Sequence, residues 1–208
     1  MITQGSLQSF LDELASSAPT PGGGSAAAIM GAMGAALVSM VCNVTLGKKG
    51  HEAVAPELKA VRDESEQLRA RLSAMVAEDI AAFDGLMAAY RLPKASEEEK
   101  SRRADAIQSN LRAATEAPLA CARACAQVVA LSRRAGAKGY AGVISDAGVG
   151  VLAANGALRS AALNVYINAP SLNDRAYALA ATAEIEKLLD QCSRESESIF
   201  AMVRGRLG

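Results

Sequence analysis

Between Pro19 and Gly47 the chain runs for 29 residues without a charged side chain, opening PTPGGGSAAAIMGAMG. An uncharged run of more than about 18 residues has two physical outlets, a bilayer or the inside of a protein. This one is built of Ala, Gly, Ser and Met, with few Leu, Ile or Phe and with Asn43 and Thr45 inside it. Its transfer into lipid would be weakly favourable. The reading is therefore a helix surrounded by protein, in a chain that does not enter a membrane. Gly31 and Gly34 let a neighbouring backbone come close. A second stretch, Ala135 to Pro170, carries only Lys138, Asp146 and Arg159 as charges. A chain of 208 residues can hardly enclose two such segments alone. Their presence predicts a homodimer or larger assembly with these segments near the interface.

The rest of the chain is punctuated for helices. Leu7, Phe10, Leu11 and Leu14 repeat at helical spacing and end before Pro19. The uncharged helix is expected from about Ser25 to Leu46, with Gly47 as its stop. A third runs from Pro56, a favoured first-turn residue, to Tyr90. SEEE at 96–99 is a cap followed by acids, and predicts a fourth helix to about Arg134, with Pro118 inside it as a kink. Ala135–Gly142 reads as a loop. A fifth helix is expected to open with Ser145 as cap, and a sixth with Ser171 and Asp174 in a capping-box-like start, ending near Arg204. EQLRARL and EEEKSRRAD read as solvated faces laced with ion pairs. The fold class is all-α: an antiparallel bundle of about six helices in one domain, residues 1–208, with a buried, nearly uncharged second helix.

Composition removes several functions. Lys plus Arg equals Asp plus Glu, 22 each, so there is no basic excess for nucleic acid or an anionic membrane. Aromatics make up 3%, too few for stacking platforms. Cys42, Cys121, Cys125 and Cys192 read as buried reduced thiols, because the only histidine is His51 and zinc sites draw on clustered ligands. Met1–Phe10 lacks the basic and apolar regions of a secretory signal, so a cytoplasmic location is expected.

One acid breaks a pattern. Leu58, Val61, Ser65, Leu68, Leu72, Met75, Asp79, Ala82 and Leu86 step by three and four and form a packing seam. Asp79 stands where a hydrophobe is expected. A carboxylate on a packed face is either paired with a cation on another helix or kept for chemistry in a cleft. Phe83, one turn on, offers the nearest aromatic face, and Glu78 and Asp84 lie off the seam. Gly22, Gly23, Gly24 and Ser25 have two readings: a tight turn, or backbone amides at a helix N-terminus aimed at negative charge or a carbonyl. They are no Walker loop, since no GK[ST] follows. Lys48 and Lys49 suit a helix C-terminus by its dipole, and could instead clamp a carboxylate-bearing ligand. His51 reads as a surface residue. Ser145 and Asp146 read first as caps, and no nucleophile elbow accompanies them.

PTPGGGSAAA (19–28), NVTLGKKG (43–50), AEDIAAFDGLMAAYRLPK (77–94), SDAGVG (145–150) and ALNVYINAPSLND (162–174) occur in that order and span nearly the whole chain. Together they resemble the cyclodeaminase/cyclohydrolase domain of the formiminotransferase-cyclodeaminase family. The resemblance implies an all-helical, dimeric subunit that binds a folate, expected to be polyglutamylated, in a cleft at or near the subunit interface. It implies no metal and no cofactor beyond the tetrahydrofolate substrate. The aspartate of the family's ED…AF motif falls on Asp79, which the resemblance makes the catalytic residue. Its lysine pair falls on Lys48 and Lys49; where members often continue with a third lysine and a tyrosine, Gly50 and His51 stand. Substrate contacts are expected from Gly22, Gly23, Gly24, Ser25, Lys48, Lys49, Phe83, Ser145, Asp146 and Asn164. The implied activity is methenyltetrahydrofolate cyclohydrolase, favoured by the absence of a transferase segment ahead of the domain. The alternatives are formiminotetrahydrofolate cyclodeaminase, a non-catalytic helical scaffold, and a small membrane protein.

Overall fold

The computed structural model describes residues 5–207, which are helical nearly throughout, with no strand among them. Six α-helices follow in order: α1 Leu7–Leu14, α2 Gly23–Leu46, α3 Ala55–Tyr90, α4 Glu97–Lys138, α5 Ile144–Asn168 and α6 Arg175–Gly205. Short 3-10 turns precede α3 and α5 and join α5 to α6. α2 lies against α3 and α5 and touches α4, while α6 packs on α4 and α5. The core is filled by Ala, Val, Leu and Ile from α2 to α6.

The close packing depends on missing side chains. A Cβ on Gly34 would sit 2.9 Å from the carbonyl oxygen of Gly150, and one on Gly150 would sit 3.2 Å from that of Gly34. The antiparallel α2 and α5 therefore meet backbone to backbone at this pair. Gly31, by contrast, leaves room for side chains, Cys125 and Leu72. Among the described residues of α2 only Gly23, Met33 and Asn43 are exposed, with Met30, Leu37 and Met40 half-buried beside them. Val149, Leu152, Leu163 and Ile167 of α5 are exposed as well. By length and composition, Gly23–Leu46 and Ala141–Ser171 are each sufficient to cross a bilayer; the first is mostly buried inside the bundle.

Several boundaries differ from the sequence expectation, each for a local reason. α2 starts at Gly23, not Ser25, because the chain turns at Gly22 and two of the three glycines enter the first turn. It ends at Gly47 as expected, but Gly47 has φ −85°; the left-handed glycine is Gly50, at φ 86°. α4 continues to Lys138, so the expected loop of Ala135–Gly142 shrinks to Gly139–Tyr140 and a 3-10 turn. Tertiary packing extends it: Ala135 and Gly136 are buried, and Arg206 donates to the carbonyls of Gly136 and Gly139. Ser145 is not the cap of α5. The helix starts at Ile144, two residues earlier than that cap implies, out of the 3-10 turn, and Val143 holds the N-cap position without a side-chain bond. Asp174 is itself the N-cap of α6 and accepts the Tyr177 amide, with Ser171 outside the motif. The capping box at Ser96 and Glu99 is formed in full.

Candidate active site

The seam on α3 buries Leu58, Val61, Ser65, Leu72, Met75 and Leu86, and leaves Leu68, Asp79 and Ala82 half-buried. Asp79 reaches the N-terminus of α2. The Ser25 hydroxyl donates to Asp79 Oδ2 at 2.8 Å, and the Ser25 amide donates to the same carboxylate. The expected aim of the Gly-rich amides at a negative charge is thus met inside the protein, by its own carboxylate. Gly22 at the N-cap has no side chain to satisfy the first turn, and Asp79 takes that place from another helix. A Cβ on Gly24 would lie 2.1 Å from Asp79 Oδ1, so only glycine leaves space for the acid here. Burial raises the Asp79 pKa above the ordinary carboxylate range; the Ser25 hydroxyl and amide work against that and lower it. Burial prevails. No Lys or Arg pairs with Asp79 among the described residues, which separates it from Glu78, paired with Arg71 in solvent.

Asp79 opens on a cavity of about 290 Å³, lined also by Ala82, Phe83, Leu86, Met87, Ala114, Asn164, Ile167 and Asn168. Its walls are apolar and its polar side chains are three: Asp79, Asn164 and Asn168. Asn164 adjoins Gly23, whose Cβ would fall 4.0 Å from Asn164 Nδ2. The Gly22–Ser25 turn, Asp79, Phe83 and Asn164 therefore form one cluster at one end of the bundle. Asn168 escaped the sequence reading. Its signals were its four-residue spacing from Asn164 and the proline at 118.

Lys48, Lys49, Ser145 and Asp146 lie elsewhere. α2 has 24 residues, about 36 Å at 1.5 Å per residue, and the lysines follow its far end. There Lys48 Nζ sits 4.9 Å from the Tyr140 ring centre, and His51 meets the same ring edge-on at 6.0 Å. Thr45 Oγ1 accepts the Tyr140 amide and pins the α4–α5 corner to this end. A second hollow of about 320 Å³ lies among Gly47, Lys48, Lys49, His51 and Glu52. Ser145, exposed, and Asp146, half-buried, begin α5 at the same end. Within one chain the structure does not bring these four residues to Asp79.

Comparison with known proteins agrees with this architecture. The sequence profile of the formiminotransferase-cyclodeaminase family matches residues 6–187. A methenyltetrahydrofolate cyclohydrolase from Methylorubrum extorquens is 54% identical over 201 residues, 97% of each chain. The formimidoyltransferase-cyclodeaminase of Sus scrofa is 32% identical over 97% of this chain, which spans only 36% of that longer protein. The crystal structure of a formiminotetrahydrofolate cyclodeaminase from Thermotoga maritima superposes with a TM-score of 0.81 at 27% identity, covering 100% of this chain and 98% of that one. With the profile spanning most of the sequence and the helical architecture shared end to end, this chain belongs to the formiminotransferase-cyclodeaminase family.

Proposed function

We propose that the protein is a methenyltetrahydrofolate cyclohydrolase, adding water to 5,10-methenyltetrahydrofolate to give 10-formyltetrahydrofolate. The full-length 54% identity to the Methylorubrum enzyme carries this choice over cyclodeamination. The geometry supports the chemistry. In the substrate one carbon bridges N5 and N10 as an amidinium cation. A half-buried carboxylate with no cationic partner suits both the cation and the water that attacks it. Asp79 takes a proton as the water oxygen bonds to the bridging carbon. It then delivers that proton to N5 as the C–N5 bond breaks, and the remaining hydroxyl proton is released to solvent as the C=O forms, leaving a neutral formyl group on N10. Phe83, Leu86 and Met87 form an apolar wall for the bicyclic ring, and the fixed Gly22–Ser25 turn holds the carboxylate. The test is the loss of methenyltetrahydrofolate absorbance on adding purified protein. Decay at the spontaneous rate, with ammonia released from 5-formiminotetrahydrofolate, would instead make the protein a cyclodeaminase.

The raised Asp79 pKa has a signature. As a base Asp79 must be ionised, so kcat/KM falls as pH drops through that raised value. The cationic substrate favours the carboxylate, so the acid limb of kcat lies at lower pH than that of kcat/KM. Coincident limbs at the pKa of an ordinary surface carboxylate would remove Asp79 from the rate law.

The second site cluster enters through a second subunit, in a cytoplasmic homodimer. The exposed Met33, Val149, Leu152, Leu163 and Ile167 supply an apolar face on α2 and α5. A two-fold axis through the middle of that face brings the lysine end of one subunit to the Asp79 end of its partner. Lys48 and Lys49 then meet the carboxylates of the folate's glutamate tail. Reversing both charges should raise KM about tenfold, the effect of one charge-assisted hydrogen bond, with less change in kcat. At substrate well below KM, where the lysine variant alone keeps about a tenth of wild-type activity, mixing Asp79→Asn subunits with Lys48→Glu/Lys49→Glu subunits should give roughly a quarter of wild-type activity, since half the dimers are mixed and each has one intact site. A mixture no more active than the average of its two components would refute the shared site.

A further inference from the structure

Pro118 sits inside α4 and has no amide hydrogen, so the carbonyl of Ala114, one turn back, loses its helical partner. The structure fills that gap from α5: Asn168 Nδ2 donates to the Ala114 oxygen at 2.7 Å. The consequence is directional. With its nitrogen committed to Ala114, the Asn168 amide has a fixed orientation, and its Oδ1 accepts no hydrogen bond from the described residues. Asn168 is half-buried and lines the cavity that Asp79 opens on. One turn before it, Asn164 is held in the same sense, donating through Nδ2 to its own helix at Ser160. The polar side chains of the cavity are thus two amides with their nitrogens engaged and one carboxylate. Besides the carboxylate, the cavity thus presents two amide oxygens that accept nothing from the described residues.

We propose that Asn168 is a specificity-determining residue that reads a hydrogen-bond donor on the ring system of the substrate, with Pro118 setting the orientation of its amide. The inference rests on the folate reading. Asp79 serves the one-carbon end, and Asn168 lies farther along α5 than Asn164, by one turn of about 5.4 Å. Across the bicycle from that carbon, the amino-pyrimidine edge of a reduced pterin carries N–H donors. A carbonyl oxygen there accepts from the 2-amino group, whereas a freely rotating amide could equally present its NH2 and tolerate a ring without donors.

A purely structural Asn168, there only to satisfy Ala114, makes a different prediction, and Pro118 separates the two. In Pro118→Ala the restored amide bonds Ala114 itself. Asn168→Leu in that background leaves no orphaned carbonyl, so thermal stability should return toward wild type. Selectivity should not. The measurement compares kcat/KM for methenyltetrahydrofolate and for its analogue with methyl in place of the 2-amino group. Wild type should favour the natural substrate by about tenfold, the net effect of one hydrogen bond. The double variant should lose about that factor on the natural substrate alone, bringing the ratio near unity. A stable double variant that keeps the wild-type ratio, or a wild type that does not discriminate, overturns the assignment. Absence of any wild-type turnover of the natural substrate would overturn the folate reading first, and this inference with it.

Discussion

Asp79→Asn will fold and will lose turnover by about 10²–10⁴-fold, the range that general acid–base help supplies. The amide is isosteric and can still accept from Ser25, so the α2 N-terminus keeps a partner. It cannot take a proton from water near neutral pH. The same substitution should not cost stability, and the sign follows from the pKa. A carboxyl whose folded pKa is raised stabilises the fold in its neutral form, fully below its unfolded pKa, and that stabilisation is lost as pH rises through the folded value. Above that raised pKa wild-type Asp79 is ionised and partly desolvated, whereas asparagine carries no charge to desolvate. Thermal melts across pH should therefore show the variant gaining on wild type as pH rises from the unfolded to the raised folded pKa, with a constant difference above it. A variant that unfolds at neutral pH would make Asp79 a structural helix cap. One with wild-type turnover would end its role as the proton carrier.

Gly24→Ala should be nearly as damaging to activity, for a reason of space. The new methyl would lie 2.1 Å from Asp79 Oδ1. Something must move, and the carboxylate at the end of its side chain moves more readily than two packed helices. Alanine favours a helix over glycine by about as much as losing the Asp79 cap costs, so α2 keeps close to its wild-type stability. The acid is displaced by an ångström or more, and a displacement of that size costs about 10²-fold in rate. The expected result is a protein with near-wild-type melting temperature and kcat lowered by roughly that factor. Full activity in Gly24→Ala would mean that the Asp79 position seen against Gly24 is not the working one.

Both predictions turn on residues that stand out in the linear chain, but for incomplete reasons. Asp79 is visible because it interrupts a run of hydrophobes at helical spacing, and such a run can be read without coordinates. That it faces Ser25 and not an arginine depends on which helix packs there. Ser145 misled because serine before a helical run is a good cap on average; the 3-10 turn ahead of α5 moved the helix start by two residues. Pro118 read as a kink, yet its main consequence is an orphan carbonyl that Asn168 fills from 50 residues away, a pairing no local pattern records.

Periodicity, capping residues and the uncharged run were enough to specify six helices, their order and the burial of α2, because each depends on neighbours within one or two turns. The family motifs, quoted in order, carried the expectation of a folate site. Only the tertiary structure decided which motifs share an end of the bundle. α2 is long and antiparallel to α5, so the glycine turn and Asn164 converge on Asp79 while Lys48 and Lys49, about 36 Å along α2, gather with Ser145 and Asp146 at the other end. Helix length and packing direction set that separation, and neither is a property of any one stretch of sequence.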